Sequence, residues 1–208
     1  MVKSPISELE KRIFQKAGEI AATSAADALS KLIGEKININ VTDCKKVEIN
    51  SIPTIFGDKD RKVVAINMLI PTNNLCTVLM LIPSDEAMRI CDMFSKRELG
   101  TTKEITYERW SELFEIGNIS ICAYLNSLSN LINEKLIPTP PAVAFDSMTS
   151  ILEDVAVSAD TVTMDNKAVL IESDFKLNDV KCNGYFIFIP DRDFTDSILK
   201  VFNVSGKE

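Results

Sequence analysis

The pattern of apolar and polar positions divides the chain into alternating helical and extended stretches. Over residues 5–33, Ile6, Leu9, Ile13, Ala17 and Ile20 recur at helical spacing, and Ala25, Ala26, Ala28, Leu29, Leu32 and Ile33 continue the series. This predicts one long helix, with Gly34 as its stop. Residues 36–41 and 46–52 read as short strands, and Gly57-Asp58-Lys59-Asp60 as a turn. Residues 63–70 and 75–82 are β-rich runs joined by Pro71-Thr72-Asn73-Asn74, which predicts a hairpin. A helix is expected from Ser84, read as its N-cap, to about residue 96, with Asp85 and Glu86 suited to its positive end.

The second half repeats this order. Residues 106–133 read as a long helix, followed by a proline-rich exit from Glu134 to Pro141 and a short strand over 142–145. Residues 147–156 read as a helix or an irregular connection, 167–175 and 184–189 as strands, and 191–202 as a last helix. A shift of 99 residues lays Gly18 on Gly117, Ile20 on Ile119, Leu29 on Leu128, Leu32 on Leu131 and Glu35 on Glu134. Farther on, Leu79-Met80-Leu81-Ile82-Pro83-Ser84 resembles Phe186-Ile187-Phe188-Ile189-Pro190-Asp191. Two matching signatures in one order point to an internal duplication. The expected organisation is one domain over 1–208, with repeats at about 5–103 and 105–204 and a pseudo-twofold axis. Its fold class is α+β, a mainly antiparallel sheet with two long helices packed on it.

Composition narrows the chemistry. The 208 residues are 46% hydrophobic and 25% charged, an ordinary globular balance. The chain has no His, which excludes a Ser-His-Asp triad, a Cys-His dyad and any His-bearing zinc site. A net charge of −7 argues against a general nucleic-acid partner. The five cysteines, Cys44, Cys76, Cys91, Cys122 and Cys182, are odd in number and form no C-x-x-C pair, so reduced thiols and a cytoplasmic location are expected. The first residues lack an apolar signal core, and no run is long enough to predict a membrane span. Asp43, Asp58, Asp60, Asp191 and Asp193 read as acids of turns and helix starts rather than metal ligands. Met68, Met80, Met88, Met93 and Phe94 read as core.

One constellation stands out on the second long helix. Ser111, Glu115 and Asn118 are spaced i, i+4, i+7 and share one face, while Leu113, Ile116, Ala123, Leu128 and Leu131 lie largely on others. Such a face is most often merely solvated. Gly117 sits beside Asn118 in mid-helix, at a cost of roughly 1 kcal/mol relative to Ala, and the matching Gly18 favours a packing role for both glycines. Twenty-two residues after Asn118 comes Pro141, in Pro138-Thr139-Pro140-Pro141-Ala142-Val143.

These residues resemble the signature of the CheC/CheX/FliY group of chemotaxis phosphatases: Asp or Ser, three residues, Glu, two residues, Asn, twenty-two residues, Pro. Every spacing is met by Ser111, Glu115, Asn118 and Pro141, and the flanks Glu115-Ile116-Gly117-Asn118-Ile119 and Tyr124-Leu125-Asn126-Ser127-Leu128 are CheC-like. The first helix departs from the signature: Arg12, Lys16 and Glu19 occupy the slots of Ser111, Glu115 and Asn118, and Thr42 that of Pro141. One active face and one silent or repurposed face are therefore expected.

The resemblance implies a phosphatase for the aspartyl phosphate of a CheY-type response regulator. No cofactor of its own is implied; Mg²⁺ would belong to the partner. Asn118 would hold the attacking water, Glu115 would pair with a lysine of the partner, Ser111 would help the helix or docking, and Pro141 would be structural. The same resemblance allows a non-catalytic adaptor that binds phosphorylated CheY or the deamidase CheD. A flagellar switch component of the FliY kind is the third reading, disfavoured because the chain length leaves no room for further switch-binding domains.

Overall fold

The computed structural model describes residues 8–55, 60–71, 76–160, 167–177 and 179–189, together with Ser197 and Lys200. The first long helix, α1, spans Glu8–Ile33. Gly34 ends it at φ +75°, donating its N–H to the Ser30 carbonyl at 2.9 Å. Strand β1 (Ile37–Glu48) runs into a 3₁₀ turn, Ile49–Ser51, and the short helix α2 (Ile52–Ile55). Strands β2 (Lys62–Ile70) and β3 (Cys76–Pro83) pair antiparallel, as the hairpin reading requires. Helix α3 covers Ser84–Phe94 and the second long helix, α4, Tyr107–Ile132. Then come β4 (Ala142–Ser147), α5 (Met148–Asp160), β5 (Lys167–Leu177) and β6 (Val180–Ile189).

The six strands form one antiparallel sheet in the order β1-β5-β6-β3-β2-β4. Exchanging the two halves, β1 for β4, β2 for β5 and β3 for β6, maps this order onto itself. Each half lends its first strand to the other half's edge: β1 pairs with β5, and β4 with β2. On one face Val64, Ile66, Met68, Val78, Met80, Ile171, Phe186 and Phe188 pack with α1, α3 and α4. On the other, Val63, Ala65, Leu79, Leu81, Leu170 and Ile187 pack with Ile49, Ile52 and α5. Burial on both faces is why β3 is apolar without a break from Val78 to Pro83.

Some expectations need correcting. Residues 36–41 and 46–52 are not two strands. Thr42 is an extra residue in a single strand, because Val41 pairs with Ser173 while Asp43 already pairs with Glu172. The bulge shifts the inward phase from odd positions (Ile37, Ile39) to even (Cys44), which breaks the alternation in the sequence. The ladder ends at Glu48, and Ile49 and Ile52, three apart, turn helically into the second core. Asp43 lies at this bulge, not in a turn, and pairs with Lys45 at 2.8 Å. Ser84 is not the N-cap of α3: Pro83 holds that position, and no side chain caps the helix.

Of the stretch 147–156, Ser147 ends β4 and the rest is helix α5, and β6 begins four residues earlier than expected. The α4 limits agree, with Asn133 closing the helix in the left-handed region at φ 55°. Met68, Met80 and Met93 are buried. The turn residues 57–59, including Asp58, and the helix expected over 191–202 lie outside the described residues, apart from Ser197 and Lys200, both helical.

Candidate functional site

Helix α4 positions the site because its two sides have opposite tasks. Leu113, Ile116, Ile121, Tyr124, Leu125, Leu128 and Ile132 are buried. Ser111 and Glu115 are exposed, and Asn118 is half-buried, on the side turned away from the core. The three predicted residues therefore form one accessible polar stripe.

The Ser111 hydroxyl donates to the Tyr107 carbonyl at 3.4 Å, one turn back along its own helix. The Asn118 Oδ1 accepts from the Cys122 thiol, Sγ to Oδ1 3.6 Å. Partial burial pushes the Cys122 thiol pKa up, which keeps it in the protonated, donating form at neutral pH. With Oδ1 engaged toward Cys122, the Asn118 amide keeps its two N–H donors and a further lone pair for other partners.

The N-terminal end of α4 is pinned from below. The Glu112 carboxylate accepts from Ser95 Oγ at 2.6 Å and from Arg97 at 3.1 Å, and also pairs with Arg109. The loop leading into α4 is held by Asp92, fully buried, which accepts from the backbone N–H groups of Gly100 (2.8 Å) and Thr102 (3.0 Å) and from the Thr102 hydroxyl (2.6 Å). Each oxygen of this buried carboxylate thus has a donor.

Pro141 immediately precedes β4. Its segment is tied to the end of β2 by reciprocal bonds: the Thr139 N–H donates to the Leu69 carbonyl at 2.7 Å, and the Leu69 N–H donates to Thr139 Oγ1 at 3.1 Å. In the ladder, Val143 then lies opposite Ile66, the residue on which Gly117 rests. The segment of Pro141 is therefore joined to α4 through β2.

Two aromatic residues that the sequence reading passed over share this side of α4. Tyr107 is 85% exposed and Phe114 39%, at i−4 and i+3 from Ser111. Phe145 of β4, 43% exposed, opposes Val64, whose side chain is on the α4 face of the sheet. The helical spacing from Tyr107 to Ser111, Phe114 and Asn118 was the available signal.

The matching face of α1 is different. Arg12 and Lys16 are exposed, and Lys16 pairs with Glu19 at 3.1 Å, which also accepts from Gln15 at 3.4 Å. The Lys16 and Glu19 charges neutralise each other along the helix surface, with no amide in the Asn118 slot. All five cysteines are free. Among the described residues no helix is long and apolar enough to cross a membrane.

Compared with known proteins, the chain matches no family model. It is 22% identical over 209 residues to the CheY-P phosphatase CheC of Bacillus subtilis strain 168, spanning 96% of this chain and 97% of that one. The chain is CheC-like. Its fold is that of the crystal structure of Thermotoga maritima FliY, with a TM-score of 0.76 at 20% identity over 98% of both chains. It is also similar to FliM in the FliG–FliM complex from H. pylori, with a TM-score of 0.66 at 11% identity over 94% of this chain and 100% of that one. The fold is thus shared with the FliY and FliM structures.

Proposed function

We propose that the chain is a phosphatase that accelerates loss of the aspartyl phosphate from a CheY-type response regulator in the cytoplasm. The observation that carries this reading is the α4 stripe, with Glu115 exposed and Asn118 accessible beside it at the signature spacing. The likeness to CheC along nearly the whole chain supports it.

In this reading the regulator brings the acyl phosphate, its own Mg²⁺ and its own cationic side chain. Asn118 enters that pocket, accepts a hydrogen bond from a water through Oδ1 and donates through Nδ2 to a phosphoryl oxygen. The water oxygen bonds to phosphorus as the bond from phosphorus to the carboxyl oxygen breaks, leaving a free aspartate and inorganic phosphate. Phosphoryl transfer of this kind depends on positioning and charge stabilisation rather than on a covalent enzyme intermediate. A chain without His is suited to it. Glu115 pairs with a cation of the regulator and sets the register.

The test is decay of the phosphorylated regulator with wild type, Asn118→Ala and Lys16→Ala. Faster decay with wild type and Lys16→Ala but not with Asn118→Ala supports a single-site phosphatase. Unchanged or slower decay on binding rejects it and leaves the adaptor. The paired-charge face of α1 and the likeness to FliM, crystallised with FliG, favour the adaptor as the second reading. CheD belongs to that reading.

A further inference from the structure

Gly117 costs α4 helical propensity, so something at that position is incompatible with a side chain. A Cβ built there would lie 2.5 Å from Ile66 Cδ1, 2.7 Å from Ile66 Cγ2 and 3.2 Å from Ile66 Cβ. Ile66 is fully buried in the middle of β2, and protein interiors are close-packed, so a shift of its side chain is costly. Helix α4 therefore sits on the sheet at a height that only glycine permits.

Helix α1 supplies an internal control. Gly18 faces Ile171 of β5, and a Cβ there would lie 3.4 Å from Ile171 Cδ1 and from the Tyr124 hydroxyl oxygen, an ordinary contact. Both long helices carry the glycine. Only the helix that carries Ser111, Glu115 and Asn118 is seated too closely for a Cβ.

We propose that the Gly117–Ile66 contact positions the site, fixing the height of the Glu115 and Asn118 stripe above the sheet and against strand β4. Gly117 and Ile66 are positioning residues in this proposal. Ile66 pairs with Val143, two residues after Pro141, so the seat of α4 and the entry of β4 share one residue of β2. Lifting α4 would displace Asn118 from the β4 edge without changing its chemistry or exposure. A regulator resting on α4 alone would follow the helix and be unaffected. One braced on α4 and β4 together would meet a misplaced amide, and about 1 Å of misplacement is enough for roughly a hundredfold loss of rate. This inference rests on the phosphatase reading.

The experiment compares Gly117→Ala, alone and combined with Ile66→Val or Ile66→Ala, and Gly18→Ala as control. Decay of a phosphorylated chemotaxis regulator and its affinity for each variant are measured. Expected is about a tenfold or greater loss of turnover in Gly117→Ala with affinity nearly unchanged. Ile66→Val keeps Cγ2 and recovers little, Ile66→Ala removes both clashing atoms and recovers most, and Gly18→Ala matches wild type. Wild-type turnover in Gly117→Ala, or no recovery in a folded Gly117→Ala/Ile66→Ala chain, overturns the proposal.

If Gly117→Ala alone does not fold, Ile66→Ala is compared with Ile66→Ala/Gly117→Ala. Equal turnover supports the proposal and a tenfold loss overturns it. If wild type itself does not speed decay, the phosphatase reading falls, and the seat is judged by the backbone amide shifts of residues 111–118. Shifts in Gly117→Ala that Ile66→Ala reverses support it; unmoved amides overturn it.

Discussion

At the residue scale, function in the proposed reading depends on one amide held at one angle. Replacing Asn118 by Ala removes the water-holding group but leaves the helix surface intact. Turnover of the phosphorylated regulator should fall by about a hundredfold or more, while the thermal midpoint of unfolding stays close to wild type. Glu115→Gln keeps the size and removes the charge. It should weaken capture of the regulator, most visibly as a lower kcat/KM at low salt, where exposed charges act at longest range. Steady-state kinetics at two ionic strengths would check this, and salt-independent kinetics would count against the pairing. Helical periodicity places Ser111, Glu115 and Asn118 on one face, but the resemblance to the CheC/CheX/FliY signature, with Pro141 at its spacing, is what singled them out. Tyr107 and Phe114 were not singled out, because a lone aromatic in a helical pattern reads as core until the neighbouring elements are in place. The partner of Gly117 was illegible for the same reason: Ile66 lies 51 residues away and meets it only through the sheet.

At the element scale, the two long helices look alike in sequence and differ in how they are seated. Gly18→Ala adds a methyl at ordinary contact distance and removes the flexibility of a mid-helix glycine, so it should stabilise the protein by up to about 1 kcal/mol. Gly117→Ala makes the same chemical change against Ile66 and should destabilise by about 1–3 kcal/mol. Urea unfolding of both variants measures the difference. If both stabilise, the close seat of α4 is not real. The junction of β4 with α5 has its own electrostatic clasp. Asp146 accepts from the Ser147 N–H at 2.7 Å, from Lys62 at 3.0 Å and from the Ser150 hydroxyl at 3.2 Å. The Ser147 N–H first and then Lys62 hold its carboxyl pKa below the ordinary value. A lowered carboxylate pKa contributes stability that is present above the unfolded-state value and lost as pH falls through the folded one. Asp146→Asn should therefore be less stable than wild type near neutrality, with the gap closing once the pH drops below the carboxylate range. A gap that persists at low pH would assign the effect to geometry instead of charge. Strand β1 shows what periodicity cannot deliver at this scale. A single inserted residue, Thr42, reverses which positions face the core, and a period-two pattern with a reversal reads as two strands.

At the scale of the whole molecule, the exchange of edge strands makes the halves interdependent. The pseudo-twofold expectation placed both halves in one sheet without saying which strands meet. The ladder sends β1 of the first half to β5 of the second, and β4 of the second to β2 of the first. This was illegible because equivalent halves predict which strands exist, not which half's neighbour each one joins. In a first half taken alone, β1 would have no pairing partner and the outer edge of β2 would be bare. The core residues of α1 would also lose Tyr124, Ile171 and Phe186, against which the helical face of the sheet is filled. Unpaired backbone groups and exposed apolar surface of that extent cannot be offset within about 100 residues. Residues 1–103 alone are therefore expected to lack a cooperative thermal transition, and so are residues 104–208. Mixed or co-expressed, the two fragments should restore the transition and, with it, the Ser111–Glu115–Asn118 stripe of α4. Circular dichroism melts of each fragment and of the mixture test this. A cooperative melt from residues 1–103 alone would mean that the exchanged edges are an addition to a self-sufficient repeat. Restoration only on mixing would mean that neither half is a folding unit by itself, and that α1 is needed to fill the core it shares with the half that carries the candidate site.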